Sequence, residues 1–222
     1  MKNHTKDYLR LIESIACLYT IDQGCIKVLL LKQEEEPYKG YWVLPTTYVS
    51  IHETCMEAIT RELEEKFHFT DLELEEVSTC STPDRMLDVP VMAVSYLGFM
   101  SDLEALKLTT EVSFETKWFD IHELPKIGYD HQEILQNAME KLKDKLLDSE
   151  VLKKIFPSDF TLPEIQKIYE SILGRKFDRR NFRKKFISLG LIEDTNDYDM
   201  NGVGRPAKLY RFKEHVSVKK LF

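Results

Sequence analysis

The sequence predicts an α+β chain in two parts: an acidic domain that mixes β-strands with amphipathic helices, then a smaller basic domain of two helices and a β-ribbon. Three observations predict it. Apolar, β-prone runs alternate with segments whose apolar residues recur every three to four positions. The charge changes sign along the chain: residues 1–150 hold 15 Lys and Arg against 29 Asp and Glu, a net of −14, whereas residues 151–222 hold 16 against 9, a net of +7. A helix–turn–helix pattern begins just past that change. A chain of 222 residues suits one large domain or two small ones.

Residues 12–20 and 26–32 are apolar and β-prone, and Asp22-Gln23-Gly24 between them makes a hairpin. Residues 41–49 read as extended, interrupted by Pro45. Over 53–67, Cys55, Ile59, Leu63 and Phe67 recur every four residues, which predicts a helix with one apolar stripe. Residues 72–80, 89–100 and 117–119 read as further strands. Residues 133–147 make a second amphipathic helix, with Ile134, Leu135, Ala138, Leu142 and Leu146 as its buried side. The stretch 148–158, with Pro157 in it, is the boundary, so the domains are placed at 1–148 and 149–222.

Beyond the boundary, Thr161 caps a helix over 162–173, with Glu164 at its third position as in a capping box and Gly174 to end it. Asp178 caps a second helix over 179–189, stopped by Gly190. Leu191 to Glu193, a polar stretch over 199–204 and the β-prone run 207–212 then make a two-stranded ribbon. Helix, turn, helix and ribbon are the outline of a winged helix-turn-helix. The second helix has an apolar back of Phe182, Phe186 and Leu189, while Arg179, Arg180, Arg183, Lys184 and Lys185 project elsewhere. Cations on a helix of that kind suit the major groove, where Arg can pair with guanine and Asn181, where it faces the groove, can read adenine. Gly202, Gly204 and Pro206 shape a wing tip carrying Arg205, a candidate for a minor-groove or phosphate contact together with Lys208. The competing reading makes the basic helix a contact surface for the acidic domain or for another protein.

Composition removes several classes. No apolar run approaches the roughly 20 residues that span a bilayer, and residues 1–10 are charged with no apolar signal core, which argues for the cytoplasm. Cys17, Cys25, Cys55 and Cys80 form no Cys-x-x-Cys pair, so the expectation is reduced thiols, with no zinc site and no disulfide framework.

The stretch 43–69 reads VLPTTYVSIHETCMEAITRELEEKFHF. It resembles the Nudix signature, in which Gly-x5-Glu-x7-Arg-Glu precedes an aliphatic residue, one more position, and paired glutamates. Glu53, Arg61, Glu62, Leu63 and Glu65 fall on signature positions. Thr47 stands at the opening Gly with Thr46 before it, Lys66 at the second paired Glu and His68 at the late Gly. The resemblance implies a Nudix-type α/β/α sandwich with a mixed sheet, in which carboxylates on one helix face hold Mg²⁺. Glu62, Glu65 and Lys66 share that face. One expectation is that Lys66 pairs with Glu62 in the cation's place and activity is lost. The other is a weakened hydrolase with metal at Glu62 and Glu65, using Mg²⁺ on ADP-ribose, NADH or a related nucleoside diphosphate derivative.

Residues 160–212 are similar to the DNA-binding domain of the Nudix-related transcriptional regulators of bacteria. The resemblance is carried by Phe160-Thr161-Leu162, Gln166, Tyr169-Glu170, Leu173-Gly174-Arg175, Asp178 to Arg183, Gly204 to Ala207 and Leu209 to Phe212. It implies a homodimeric repressor on double-stranded operator DNA, needing no cofactor to bind it. Its first domain would sense a nucleotide such as ADP-ribose, or a sugar derivative, in control of NAD metabolism. Arg85, in Thr82-Pro83-Asp84-Arg85, falls in a loop that related regulators also carry. It is a candidate for the effector's phosphate or carboxylate, with a structural salt bridge as the alternative.

Overall fold

The computed structural model describes residues 9–22, 24–69, 72–86, 89–100, 114–146, 148–149, 152–153, 156, 159–200 and 206–216. The chain divides into two compact units: residues 1–19 with 27–138, and residues 20–26 with 139–222.

The first unit is built on a mixed sheet. Its strands are β1 (Leu11–Asp22), β2 (Cys25–Lys32), β3 (Trp42–Val43), β4 (Thr46–Tyr48), β5 (Leu74–Cys80), β6 (Val91–Phe99) and β7 (Thr116–Asp120). The order is β3-β2-β1-β6-β5, with β4 also on β1 and β7 also on β2. β1 runs parallel to β6, from Leu11 opposite Val91 to Tyr19 opposite Phe99, while β4 pairs antiparallel to it. The turn from β1 to β2 uses Gly24 at φ 79°, a left-handed conformation open to glycine at little cost.

Helix α1 (Cys55–Phe67) lies on one face of this sheet. Its Ile59, Leu63 and Phe67 close a core with Ala16, Leu18, Leu29, Val94, Tyr96 and Met100. Residues on the alternate side of the strands, Ile15, Cys17, Val28 and Leu30, are also fully buried, so both faces are covered. That explains why β1 and β2 are continuous apolar runs rather than alternating ones. Helix α2 (His131–Lys145) buries the expected stripe of Ile134, Leu135, Ala138 and Leu142.

The second unit contains the last turns of α2, strand β8 (Phe160–Thr161), helix α3 (Leu162–Leu173), helix α4 (Arg179–Ser188), and strands β9 (Ile192–Asp199) and β10 (Ala207–Phe212). Thr161 and Glu164 form the capping box and Gly174, at φ 64°, ends α3. The sheet has three strands in the order β8-β10-β9, one more than the ribbon read from the sequence. The added strand is two residues long and overlaps the cap of α3, so its local signal is that of a helix start. Between helices and sheet sits an aromatic core. Tyr169 meets Phe182 and Phe186 edge-on, and Phe160 lies 4.7 Å from Phe212. Each such ring removes enough apolar surface from water to stabilise the unit by roughly 1.5–3 kcal/mol. Leu189, assigned to the apolar back of α4, is only half-buried and serves as the C-cap. The four cysteines are free thiols. No helix among the described residues is long and apolar enough to cross a membrane.

Candidate functional site

The Nudix-like box folds as a loop, a cap and the exposed side of α1. Thr54 caps the helix by accepting from Glu57 N–H, and Glu57 accepts in turn from Thr54 N–H at 2.7 Å. That capping box is legible in the sequence as Thr-x-x-Glu, although the signature draws attention away from it. His68 ends the helix in the left-handed conformation, φ 58°, with its N–H directed to Glu64 and Leu63 carbonyls. The signature's late glycine falls on this position, and a histidine holds it at a cost of about 1–2 kcal/mol. At the opening glycines, Thr46 and Thr47 form strand β4 against Ser14 and Ile15.

Each signature carboxylate is matched with a cation. Glu53 accepts from Arg61 Nε at 3.0 Å and Nη2 at 2.9 Å. That guanidinium, with a further bond from Ser50 N–H, holds the Glu53 carboxyl down at about 2. Glu65 lies 3.7 Å from the same guanidinium. Lys66 Nζ sits 2.6 Å from Glu62, whose side chain is 7% exposed. A divalent cation needs several carboxylate or carbonyl oxygens at 2.0–2.6 Å, and here the Lys66 ammonium stands against Glu62 and the Arg61 guanidinium binds both oxygens of Glu53. The box as folded does not fit Mg²⁺, and among the described residues no three His, Cys, Asp or Glu side chains gather to hold a metal.

A second cluster lies at the start of β1. Arg85 Nε and Nη2 donate to the two Asp130 oxygens, both at 2.9 Å, and Nη1 donates to Glu13 at 2.7 Å. The Arg85 side chain is 1% exposed, and the arrangement matches the salt-bridge alternative. Glu13 also accepts from Thr46 Oγ1 at 2.6 Å. His131 is buried beside them and accepts the Leu44 N–H on Nδ1 at 2.9 Å, with burial pulling its pKa to about 4. Glu13 carries no signal in the sequence, because it stands inside an apolar strand. Its partners are drawn from β4, the 81–86 loop and the residue before α2.

The third constellation is α4. Asp178 accepts from Asn181 N–H at 2.9 Å and caps the helix. Phe182 and Phe186 are buried, and Arg179, Arg180, Asn181, Arg183, Lys184 and Lys185 are exposed. The apolar back and cationic front expected of this helix are therefore segregated. Lys208, on β10, is not part of that front: its ammonium is held by Asp194 across the sheet. Arg205 and the glycines of the wing tip lie outside the described residues. Strand β9 is acidic, with Glu193, Asp194 and Asp197 exposed.

Comparison with known proteins covers nearly the whole chain. The NUDIX domain model matches residues 11–138, and the NrtR DNA-binding winged helix domain model matches residues 152–212. The ADPR responsive transcriptional repressor NtrR of Acinetobacter baylyi is 31% identical over 88% of this chain and 79% of its own length. The crystal structure of Shewanella oneidensis NrtR complexed with a 27mer DNA is similar at 28% identity and a TM-score of 0.73, over 91% of this chain and 93% of that one. An ADP-ribose pyrophosphatase of Methanocaldococcus jannaschii is 32% identical over 51% of this chain and 66% of its own.

Proposed function

From the chain's place in the NUDIX domain family, to which it belongs with an NrtR-type winged helix behind the Nudix domain, we infer that it is a transcriptional repressor. It reads operator DNA through α4 and releases it when a nucleotide of the ADP-ribose class binds the first unit. The observation that carries this reading is the segregation on α4, with two phenylalanines inward and five cations with Asn181 outward. A groove-reading helix needs that division, since its back must pack while its front meets phosphates and base edges. ADP-ribose is the effector to test first, because the Acinetobacter relative is named for its response to it. Operators of such regulators are matched by two-fold protein symmetry, so the binding species is a homodimer. Contact with DNA requires no metal, and the site of action is the cytoplasm.

The test is fluorescence anisotropy with labelled duplexes from the regions flanking the gene, at physiological salt, with and without ADP-ribose. Binding that depends on sequence and weakens with ADP-ribose is the expected result. Binding indifferent to ADP-ribose moves the search to other nucleotides and sugar derivatives, and the absence of any specific duplex sinks the repressor reading.

A hydrolase reading is favoured by one observation, the survival of Glu53, Glu62 and Glu65 on their signature positions. The ion pairs argue against it. With Mg²⁺ and ADP-ribose, the wild-type chain is expected to release no AMP above the uncatalysed background. Lys66→Glu removes the cation from Glu62 and adds a carboxylate, so this variant is expected to gain a divalent-cation site, measured by Mn²⁺ titration. Metal-dependent AMP release by the wild type would overturn the assignment.

A further inference from the structure

The turn joining α3 to α4 is short, residues 174–178, and it is gripped from one side. Gln166 and Glu170 stand one helical turn apart on α3, so their side chains leave the same face. Gln166 Nε2 donates to the Phe177 carbonyl and to Glu170 Oε1, both at 2.9 Å. The Phe177 N–H donates to the same Glu170 oxygen at 2.9 Å, and Lys176 Nζ donates to the other oxygen at 2.9 Å. Both backbone polar groups of Phe177 are thus held by α3 side chains. Phe177 directly precedes Asp178, the cap of α4, and its ring packs 5.6 Å from Phe182 on that helix. The Glu170 side chain is 9% exposed. Burial alone would raise its pKa, but the bonds from Gln166, Phe177 and Lys176 outweigh burial and lower it.

We propose that Gln166 and Glu170 are positioning residues for base readout: they set the entry of α4, and so the register in which Arg179, Arg180, Asn181 and Arg183 meet base edges, without touching DNA themselves. The inference rests on the reading of the chain as a DNA-binding regulator. A bidentate base contact depends on angle and distance, whereas a phosphate contact tolerates displacement because it carries no sequence information. Loosening the grip therefore lowers discrimination more than it lowers general affinity for duplex. The buried state of Glu170 has a second consequence. A free carboxylate beside a phosphate-facing helix would repel the backbone, and here the Lys176 ammonium offsets its charge while Gln166 and the Phe177 N–H satisfy its other oxygen.

The experiment uses the full chain. Wild type is first taken through selection from a random duplex library, and its enriched duplex and a shuffled duplex of equal composition become the probes. Glu170→Ala and Gln166→Ala are then compared with wild type by anisotropy, with Glu170→Gln as the conservative variant. In Glu170→Ala, the ratio of enriched to shuffled affinity is expected to fall about tenfold, the scale of one bidentate base contact, with affinity for the shuffled duplex within about twofold of wild type. Glu170→Gln keeps an acceptor for Phe177 N–H and is expected to recover most of the ratio. A wild-type ratio in Glu170→Ala overturns the proposal. So does an equal fall on both probes, which is the mark of a merely unfolded unit. If wild type itself enriches no duplex, the regulator reading fails, and the inference with it. A failure of the grip alone leaves wild-type selection intact.

Discussion

Replacement of Arg85 by methionine is expected to destabilise the chain by about 3–5 kcal/mol, the range for breaking a buried ion pair from one side. The guanidinium joins three segments that are distant in sequence: β1 through Glu13, the 81–86 loop through its own backbone, and the start of α2 through Asp130. Methionine fills most of the space but donates nothing. Two carboxylates would then face each other in a site where Glu13 is 5% exposed, and a buried, uncompensated charge is far more costly than a missing hydrogen bond. Urea denaturation at pH 7 measures the loss. The triple variant Glu13→Gln, Arg85→Met, Asp130→Asn removes all three charges, and it is expected to recover at least half of that loss. A loss under about 1 kcal/mol in the single variant, or no recovery in the triple, would show that the charges are better hydrated than their burial indicates.

What could be read in the sequence, and what could not, follows the range of the interaction. The capping box of Thr161 and Glu164, the stop at Gly174 and the cap at Asp178 each involve residues a few positions apart, and the structure has them as expected. The Glu62–Lys66 pair is likewise one helical turn. The buried cluster was not legible. Glu13 meets Thr46 and Arg85, and through Arg85 is joined to Asp130, only because β1 pairs with β4 and the chain returns twice to its start. No periodicity encodes those meetings. Strand β8 has no separate signal for a different reason: a two-residue strand and a helix cap have the same local signature. The pairing of Lys208 with Asp194 depends on a register that shifts between Lys208 and Tyr210, which alternation alone does not give. Gln166 and Glu170 were visible as residues of a regulator-like pattern, but their common target, the backbone of Phe177, appears only once the turn is folded.

Acid is expected to weaken the first unit before its surface carboxylates protonate, and His131 is the reason. Burial favours the neutral imidazole and lowers its pKa from 6.5 to about 4, against the pull of Glu13 and Asp130 and with a small contribution from Arg85. The Leu44 N–H acts in the same direction, because it needs an unprotonated Nδ1 to accept it. Between about pH 6.5 and 4 the unfolded chain therefore holds one proton more than the folded chain. Stability rises with pH wherever that is so. The contribution is fully present above about 6.5 and is lost as the pH falls through 4; at about 1.4 kcal/mol per pH unit it amounts to roughly 3 kcal/mol. His131→Asn places a carbonyl oxygen where Nδ1 accepts and does not titrate. Its urea-derived stability is expected to be lower at pH 7 and flatter down to pH 4, so the two curves converge in acid. Parallel curves would mean that His131 does not titrate on unfolding. The same site links this result to the Arg85 variant. With the guanidinium gone, Glu13 and Asp130 both favour the imidazolium, the pKa of His131 moves back toward 6.5, and the acid-sensitive window narrows even as the protein becomes less stable at neutral pH.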